Sequence, residues 1–245
     1  MLLSLLTSCS STYQITGNTD ITSLDGKTLS LRTLKNGQWI EMDSAEVVHG
    51  AFSMNGKADT ATVVTLYFDN EGIMPIILEN GDINVSISTQ ALQAKGTPLN
   101  DALYDFINMR NAMERQMDIL SARRAQLIME GGNANIARQQ VQEEMQMLNS
   151  EMNMFVRSFI SDNYTNILGP IVFSMMCNTL PYPIMTEEIE AILNNAPDSF
   201  LNQEWVKDFI VRARENMQFL DENFRMTTPE EDSLIPLRPQ TTPHW

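Results

Sequence analysis

Asn80-Gly81-Asp82-Ile83-Asn84-Val85-Ser86-Ile87 alternates apolar and polar residues behind an Asn-Gly turn, and Gly96-Thr97-Pro98-Leu99-Asn100 then opens a run whose apolar residues recur every three or four positions. A period of two places every second side chain on one face of a strand, whereas steps of three and four make one stripe along a helix. The period of the chain therefore changes near Thr97-Pro98. Thr97 is a good helix cap, and Pro98 suits the first helical position, where its missing N–H costs nothing.

Upstream of that point the sequence reads as short strands separated by turns. Tyr13–Thr16, Thr28–Arg32, Gln38–Met42, Ala45–Val48, Ala51–Met54, Thr62–Phe68, Ile73–Leu78 and Ile83–Ile87 are the strand candidates. Asn36-Gly37, His49-Gly50 and Asn80-Gly81 are the turns, because tight hairpins need positive φ. Ile73–Leu78 is continuously apolar, as in a strand buried on both faces, and Pro75 within it predicts an edge strand or a bulge. Seven or eight such strands predict an antiparallel β-sandwich or barrel over 12–97.

Downstream, Leu99, Leu103, Phe106, Met113, Met117, Leu120 and Leu127 fall at heptad spacing, with Arg110 and Arg124 in two of the slots. After Gly131-Gly132, Val141, Met145, Leu148, Met152, Phe155 and Phe159 repeat the pattern. The two runs predict a long antiparallel helix hairpin. Shorter helices are expected at Ile167–Asn178, Thr186–Asn194 and Gln203–Asn223, with Pro181, Pro183 and Pro197 in the connections. The fold class is thus α+β, with a helical region over 98–226. Residues 227–245 hold four prolines and no periodicity, which predicts a disordered tail.

Composition narrows the function. Thirty-one acids against 16 bases give 245 residues a formal charge of -15. Such a polyanion repels phosphate backbones, and the densest basic cluster, Arg123–Arg124, is too small to reverse that, so no nucleic-acid partner is expected. Two histidines and two cysteines leave little for a metal cluster or a disulfide framework, and no cofactor or metal site is expected.

The first six residues are mostly apolar and are followed by small residues and a cysteine. Leu6-Thr7-Ser8-Cys9 resembles the bacterial lipobox, in which the peptide is cut before a cysteine whose thiol carries a diacylglycerol. The resemblance implies that 1–11 is a lipoprotein signal and tether and that Cys9 is lipidated. The short apolar run with no preceding base is explained by a start codon placed too far downstream. No other stretch has the roughly 20 apolar residues of a membrane span. The expected chain is thus anchored in a membrane by lipid. No acidic run follows the cysteine, and the expected location is the cell envelope, facing the periplasm.

Tyr13-Gln14-Ile15-Thr16-Gly17, Leu24-Asp25-Gly26-Lys27-Thr28-Leu29, Gly50-Ala51-Phe52, Gly56, Ile77-Leu78-Glu79-Asn80-Gly81 and Gly96-Thr97-Pro98-Leu99-Asn100 occur here in order. Together they resemble a domain of unknown function that begins many Bacteroidetes lipoproteins, where it usually precedes a thioredoxin-like domain of the thiol–disulfide interchange type. These motifs are turn glycines and a helix start, and they bring no catalytic residue. The sequence has no Cys-x-x-Cys, and with Cys9 lipidated only Cys177 remains to react, which does not support an intramolecular disulfide cycle.

Candidate reactive residues have plainer explanations. Cys177 lies in an apolar helical run and is expected to be an inert core thiol. His49 belongs to a turn and His244 to the tail, neither with a recognisable Ser or Cys partner. Glu187-Glu188-Ile189-Glu190 matches the acidic first turn of a helix. Asp20 to Asp25 lacks the alternating ligands of a calcium loop. Met109, Met113, Met117, Met129, Met145, Met147, Met152 and Met154 fall on the hairpin, where a soft packed seam is favoured over a peptide groove or copper(I) site. Met109, Met147 and Met154 lie off the stripe.

The expected function is that of a non-enzymatic, membrane-anchored envelope lipoprotein that binds a protein partner. The alternative, implied by the resemblance, is an accessory subunit of an envelope thiol–disulfide or peroxide-handling system that works with a separate thioredoxin-like protein.

Overall fold

The computed structural model describes residues 11–35, 37–130 and 134–226. Within them eight strands precede six helices, so the chain is α+β. Strands β1 (Thr12–Thr19), β4 (Ala51–Lys57), β7 (Gly81–Ile87) and β8 (Leu92–Lys95) form one sheet in the order β4-β1-β7-β8. Strands β2 (Thr28–Lys35), β3 (Gln38–Glu46), β5 (Thr62–Phe68) and β6 (Glu71–Leu78) form a second sheet in the order β3-β2-β5-β6.

Two strand candidates, Gln38–Met42 and Ala45–Val48, join into β3, whose pairing with β2 shifts register between Leu31 and Arg32. That bulge interrupts the alternation and makes one strand look like two. The short β8 replaces the candidate lost by this merger. Every pairing is antiparallel except β1 with β7, which run parallel. The strict antiparallel expectation fails there because most of the β region separates the two strands. No hairpin sets their direction, and alternation looks the same either way.

The β core is built by the expected alternation. Tyr13 and Ile15 of β1 are buried between exposed neighbours. Gly17 pairs with Phe52 and Gly56 with Tyr13. A Cβ on Gly17 would lie 2.0 Å from the Phe52 ring, and one on Gly56 2.7 Å from the Tyr13 hydroxyl oxygen. Both rings lie flat over backbone that only glycine leaves bare. His49 and Gly50 have φ of 53° and 74° inside the Val48–Ala51 bridge, the primed hairpin turn that the sequence predicts.

The helices are α1 (Pro98–Met129), α2 (Ala134–Asp162), α3 (Leu168–Cys177), α4 (Glu187–Asn194), α5 (Asp198–Leu201) and α6 (Glu204–Met226). The chain divides into two compact units inside α1, the first running to Asp105 and the second starting at Phe106. In the second unit α1 and α2 form the expected antiparallel hairpin. Phe106 stacks 5.2 Å from Phe155 and 4.5 Å from Phe159, and Arg123 lies 3.2 Å from Glu144. Val141 and Leu148 are buried, while Met113, Met117, Leu120, Met145 and Met152 are half-buried.

Of the two seam arginines, Arg110 meets an acid of its own helix and Arg124 reaches solvent. Arg110 Nε lies 3.0 Å from Glu114 on its own helix, Arg124 is exposed, and Glu144 is taken by Arg123. A partner four residues along the same helix needs no matching across the hairpin. The later helices gather around Phe173 of α3, which meets Phe200 at 5.5 Å, Trp205 at 5.5 Å and Phe209 at 5.8 Å. Among the described residues no helix is long and apolar enough to cross a membrane. The expectations for Cys9, Asn36, Gly131-Gly132, His244 and the tail fall on residues outside the described ones.

Candidate functional site

Two places in the β unit concentrate polar or exposed chemistry. The first joins β6 to α1. β6 is an edge strand, one of the two alternatives that Pro75 predicts, and Pro75 has no N–H to leave unpaired. Its carbonyl accepts a 2.9 Å hydrogen bond from the Tyr104 hydroxyl. Two residues on, the Ile77 N–H donates to Asn100 Oδ1 at 2.9 Å, and Asn100 Nδ2 donates to the Ile77 carbonyl at 2.7 Å. The buried carboxamide thus replaces one residue of a missing strand.

Glu79 completes this knot. Its Oε1 accepts from the backbone N–H groups of Leu99 at 2.8 Å and Asn100 at 3.1 Å. It therefore holds the helix start that the sequence assigns to Thr97, whose hydroxyl instead accepts from Asn100 Nδ2 at 2.9 Å. The motif pieces Ile77–Gly81 and Gly96–Asn100 are two halves of one hydrogen-bonded joint. Asn100 and Tyr104 are buried, and desolvation pushes the Tyr104 hydroxyl well above its ordinary value. The joint engages its polar groups within the fold, which gives it a structural role.

The second place is the free end of the β2–β3 hairpin. Leu34 is 42% exposed, Trp39 42%, Ile40 41% and Met42 46%. β3 is the other edge of its sheet. The Trp39 and Tyr67 rings meet edge to face with centroids 5.5 Å apart, and the Arg32 guanidinium lies 4.7 Å from the centre of the Tyr67 ring. Arg32 also donates to the Asp69 carbonyl at 2.9 Å. Trp39 is thereby fixed in place while much of its surface faces solvent. Near its far end β3 is engaged, since Asp43 Oδ2 accepts from the Asn55 N–H of β4 at 3.1 Å. Desolvation, and then the Asp43 charge and hydrogen bond, raise the Tyr13 pKa beside it. Among the described residues the open stretch is therefore Gln38–Met42. Sequence reading finds that strand but not its exposure; the available signal is the adjacent Trp39-Ile40 pair, which one buried face does not accommodate.

In the second unit, Gln146, Asn149, Asn153 and Arg157 of α2 and Glu188 of α4 line a shallow groove of about 300 Å³. Its groups are exposed amides and charges. Met109, Met147 and Met154, the off-stripe methionines, are exposed. Cys177 is buried, and desolvation raises its thiol pKa far above the ordinary value, so a thiolate is disfavoured. His49 is exposed in its turn. Glu187, Glu188 and Glu190 occupy the first turn of α4, where Thr186 caps the Ile189 N–H at 3.3 Å. Among the described residues no group of three or more His, Cys, Asp or Glu side chains is placed to hold a metal.

Fold and surface together define an α+β protein whose N-terminal two-sheet unit is locked to a helix start and, among the described residues, leaves one hairpin edge open. Residues 13–103 of that unit match a family model described as a domain of unknown function (DUF4369). The match runs from β1 into α1 and takes in both halves of the Glu79–Asn100 joint. No curated protein matches the chain.

Proposed function

We propose that this chain is a non-enzymatic lipoprotein of the cell envelope, anchored through Cys9 and facing the periplasm, whose β unit binds another protein. The observation that carries the binding role is the open Gln38–Met42 edge with Leu34, Trp39, Ile40 and Met42 exposed around it. Soluble domains ordinarily blunt such an edge with charge, proline or a covering segment, because it offers backbone hydrogen bonds and apolar surface together. Peptides and proteins use edges of this kind by adding a strand. The anchoring role rests on Leu6-Thr7-Ser8-Cys9, and the membrane is engaged by acyl chains worth about 0.8 kcal/mol per buried CH₂.

Two measurements test this in the native host, with expression from the native start. Mass spectrometry of the mature protein is expected to show an N-terminal diacylated Cys9; an intact, unmodified Met1 refutes the anchor. A photo-crosslinking residue at Trp39 is expected to give a protein adduct, whereas one at exposed Gln90 gives none. Equal labelling at both positions refutes binding through the hairpin. An adduct with a thioredoxin-like protein identifies the accessory reading as the correct form of the proposal.

A further inference from the structure

We infer that the tip of the β2–β3 hairpin lies in the headgroup layer of the membrane that holds the lipid anchor, with Leu34, Trp39 and Ile40 against the lipid. The inference rests on the anchor proposed above. It goes beyond the protein-binding role, because that role uses the backbone of the open edge and this one uses side chains at the tip.

Connectivity supplies the first reason: anchor and tip belong to the same end of the β unit. Cys9 stands two residues before Ser11, which holds its lipid within about 7 Å of Ser11 along the chain. Ser11 is fixed to the unit, since its carbonyl accepts from the Ala58 N–H at 2.9 Å. The next residue, Thr12, donates its N–H to Asn80 Oδ1 at 3.0 Å. Glu79 and Asn80 connect the end of β6 to the start of β7, so the two sheets are joined at this end. Leu78 of β6 pairs with Thr62 of β5, and farther along β5 Thr65 pairs with Arg32 of β2. β2 and β5 are antiparallel, and Lys35 lies as far beyond Arg32 as Thr62 lies before Thr65. The hairpin therefore turns at the level of Thr62 and Leu78. The Thr33 hydroxyl follows that course, donating to the Val63 carbonyl at 2.8 Å. Strands spaced at about 4.8 Å, in the order β3-β2-β5-β6, put the tip roughly 15 Å across from the β6 end beside the tether. α1 starts at this end and runs away from it, with Asn100 at Ile77 and then Tyr104 at Pro75. A bilayer that takes up the lipid on Cys9 is thus within reach of the tip.

Side-chain chemistry supplies the second reason. Leu34 and Trp39 are register partners on one face of the hairpin, and Thr33 and Ile40 are partners on the other. Farther from the tip that second face is buried, at Leu29 and Leu31, whereas Ile40 is exposed. The tip thus presents apolar side chains on both faces. Docking against a flat protein surface covers one face of a strand pair, while a lipid interface surrounds both. Leu34 to Ile40 holds one charged residue, Lys35, exposed beside the turn. Tryptophan is enriched at headgroup level, where its ring meets apolar chains and its N–H meets water, and lysine there extends its ammonium to the polar layer. Trp39 is already held in place by Tyr67.

The test rebuilds the anchor chemically, so that its outcome does not depend on processing in a cell. The full chain, purified without lipid, is coupled through Cys9 to a maleimide lipid in phosphatidylcholine vesicles; Cys177 is buried and does not compete. Brominated acyl chains in the same vesicles quench a tryptophan that touches lipid. Wild-type emission is expected to be quenched about twofold more than that of Trp39→Phe, in which Trp205 and Trp245 report the background. A second attachment reads Trp39 without replacing it. Gln90, exposed in the turn between β7 and β8, lies at the opposite end of the unit, about 20 Å from Gly81 along β7. Coupling through Gln90→Cys in a Cys9→Ser chain is expected to abolish the Trp39 quenching. Equal quenching from both attachments, or with and without Trp39, overturns the inference and leaves the anchor and the protein-binding edge standing. An unmodified Cys9 in the native host overturns the anchor, and the inference falls with it.

Discussion

Asn100 answers a problem that Pro75 creates. Proline is tolerated in β6 because that strand is an edge, but a buried edge still has N–H and C=O groups to satisfy. One asparagine amide meets both groups of Ile77, at 2.9 and 2.7 Å. Asn100→Ala leaves a buried donor and a buried acceptor without partners, and urea denaturation is expected to show a loss of roughly 2–4 kcal/mol. Tyr104 carries the same logic with a measurable sign. Burial raises its pKa above the ordinary 10.0, so the fold favours the neutral phenol. Above about pH 10 the unfolded chain releases this proton while the folded chain retains it, and stability therefore falls as pH rises from there. Tyr104→Phe is expected to lose about 1 kcal/mol at neutral pH, from the hydrogen bond to Pro75. It is also expected to flatten the alkaline decline, as measured by denaturation midpoints between neutral pH and pH 11. Pro75 itself narrows β6 to an edge strand or a bulged one, and both features occur. The partner of Ile77 is not legible, because a carboxamide 23 residues away carries no periodic signal.

At the scale of elements, the sequence is most readable where one physical period dominates. The stripes Phe106–Leu127 and Val141–Phe159 predict the α1–α2 hairpin because each apolar step repeats the same contact. Arg110 and Arg124 are less legible, since a heptad slot says where a Cα lies and not where a long side chain ends. The β3 bulge and the parallel β1–β7 pair escape for a related reason: alternation encodes faces, but neither register nor direction. The hairpin also separates stripe from surface. Met113 is half-buried along the seam, and Met154 is about half exposed beside the α2 groove. Met113→Asp is expected to lower stability by about 1–3 kcal/mol, because it sets a charge against apolar neighbours. Met154→Asp is expected to stay within about 0.5 kcal/mol. Paired thermal melts check both, and equal losses would mean that the exposed methionine face packs as core.

At the scale of the whole molecule, the change of period near Thr97 and the boundary between the compact units are not the same place. The first unit extends to Asp105 because Glu79, Ile77 and Pro75 are bonded to residues beyond Thr97. Periodicity marks where one kind of secondary structure gives way to another; it does not mark which residues the earlier part needs in order to close its own edge. A fragment of residues 11–97 keeps all eight strands and lacks Asn100 and Tyr104. It therefore leaves the Ile77 N–H and C=O and the Pro75 carbonyl without the partners they have in the whole chain. Residues 11–108 restore those partners with about three helical turns. The longer fragment is expected to unfold cooperatively in urea with dispersed amide resonances, and the shorter one to be largely unfolded or aggregated through the open β6 edge. Adding Asn100→Ala to the longer fragment is expected to move it toward the behaviour of the shorter. Two equally stable fragments would show that the β unit closes without the helix start and that Glu79, Asn100 and Tyr104 serve α1 alone.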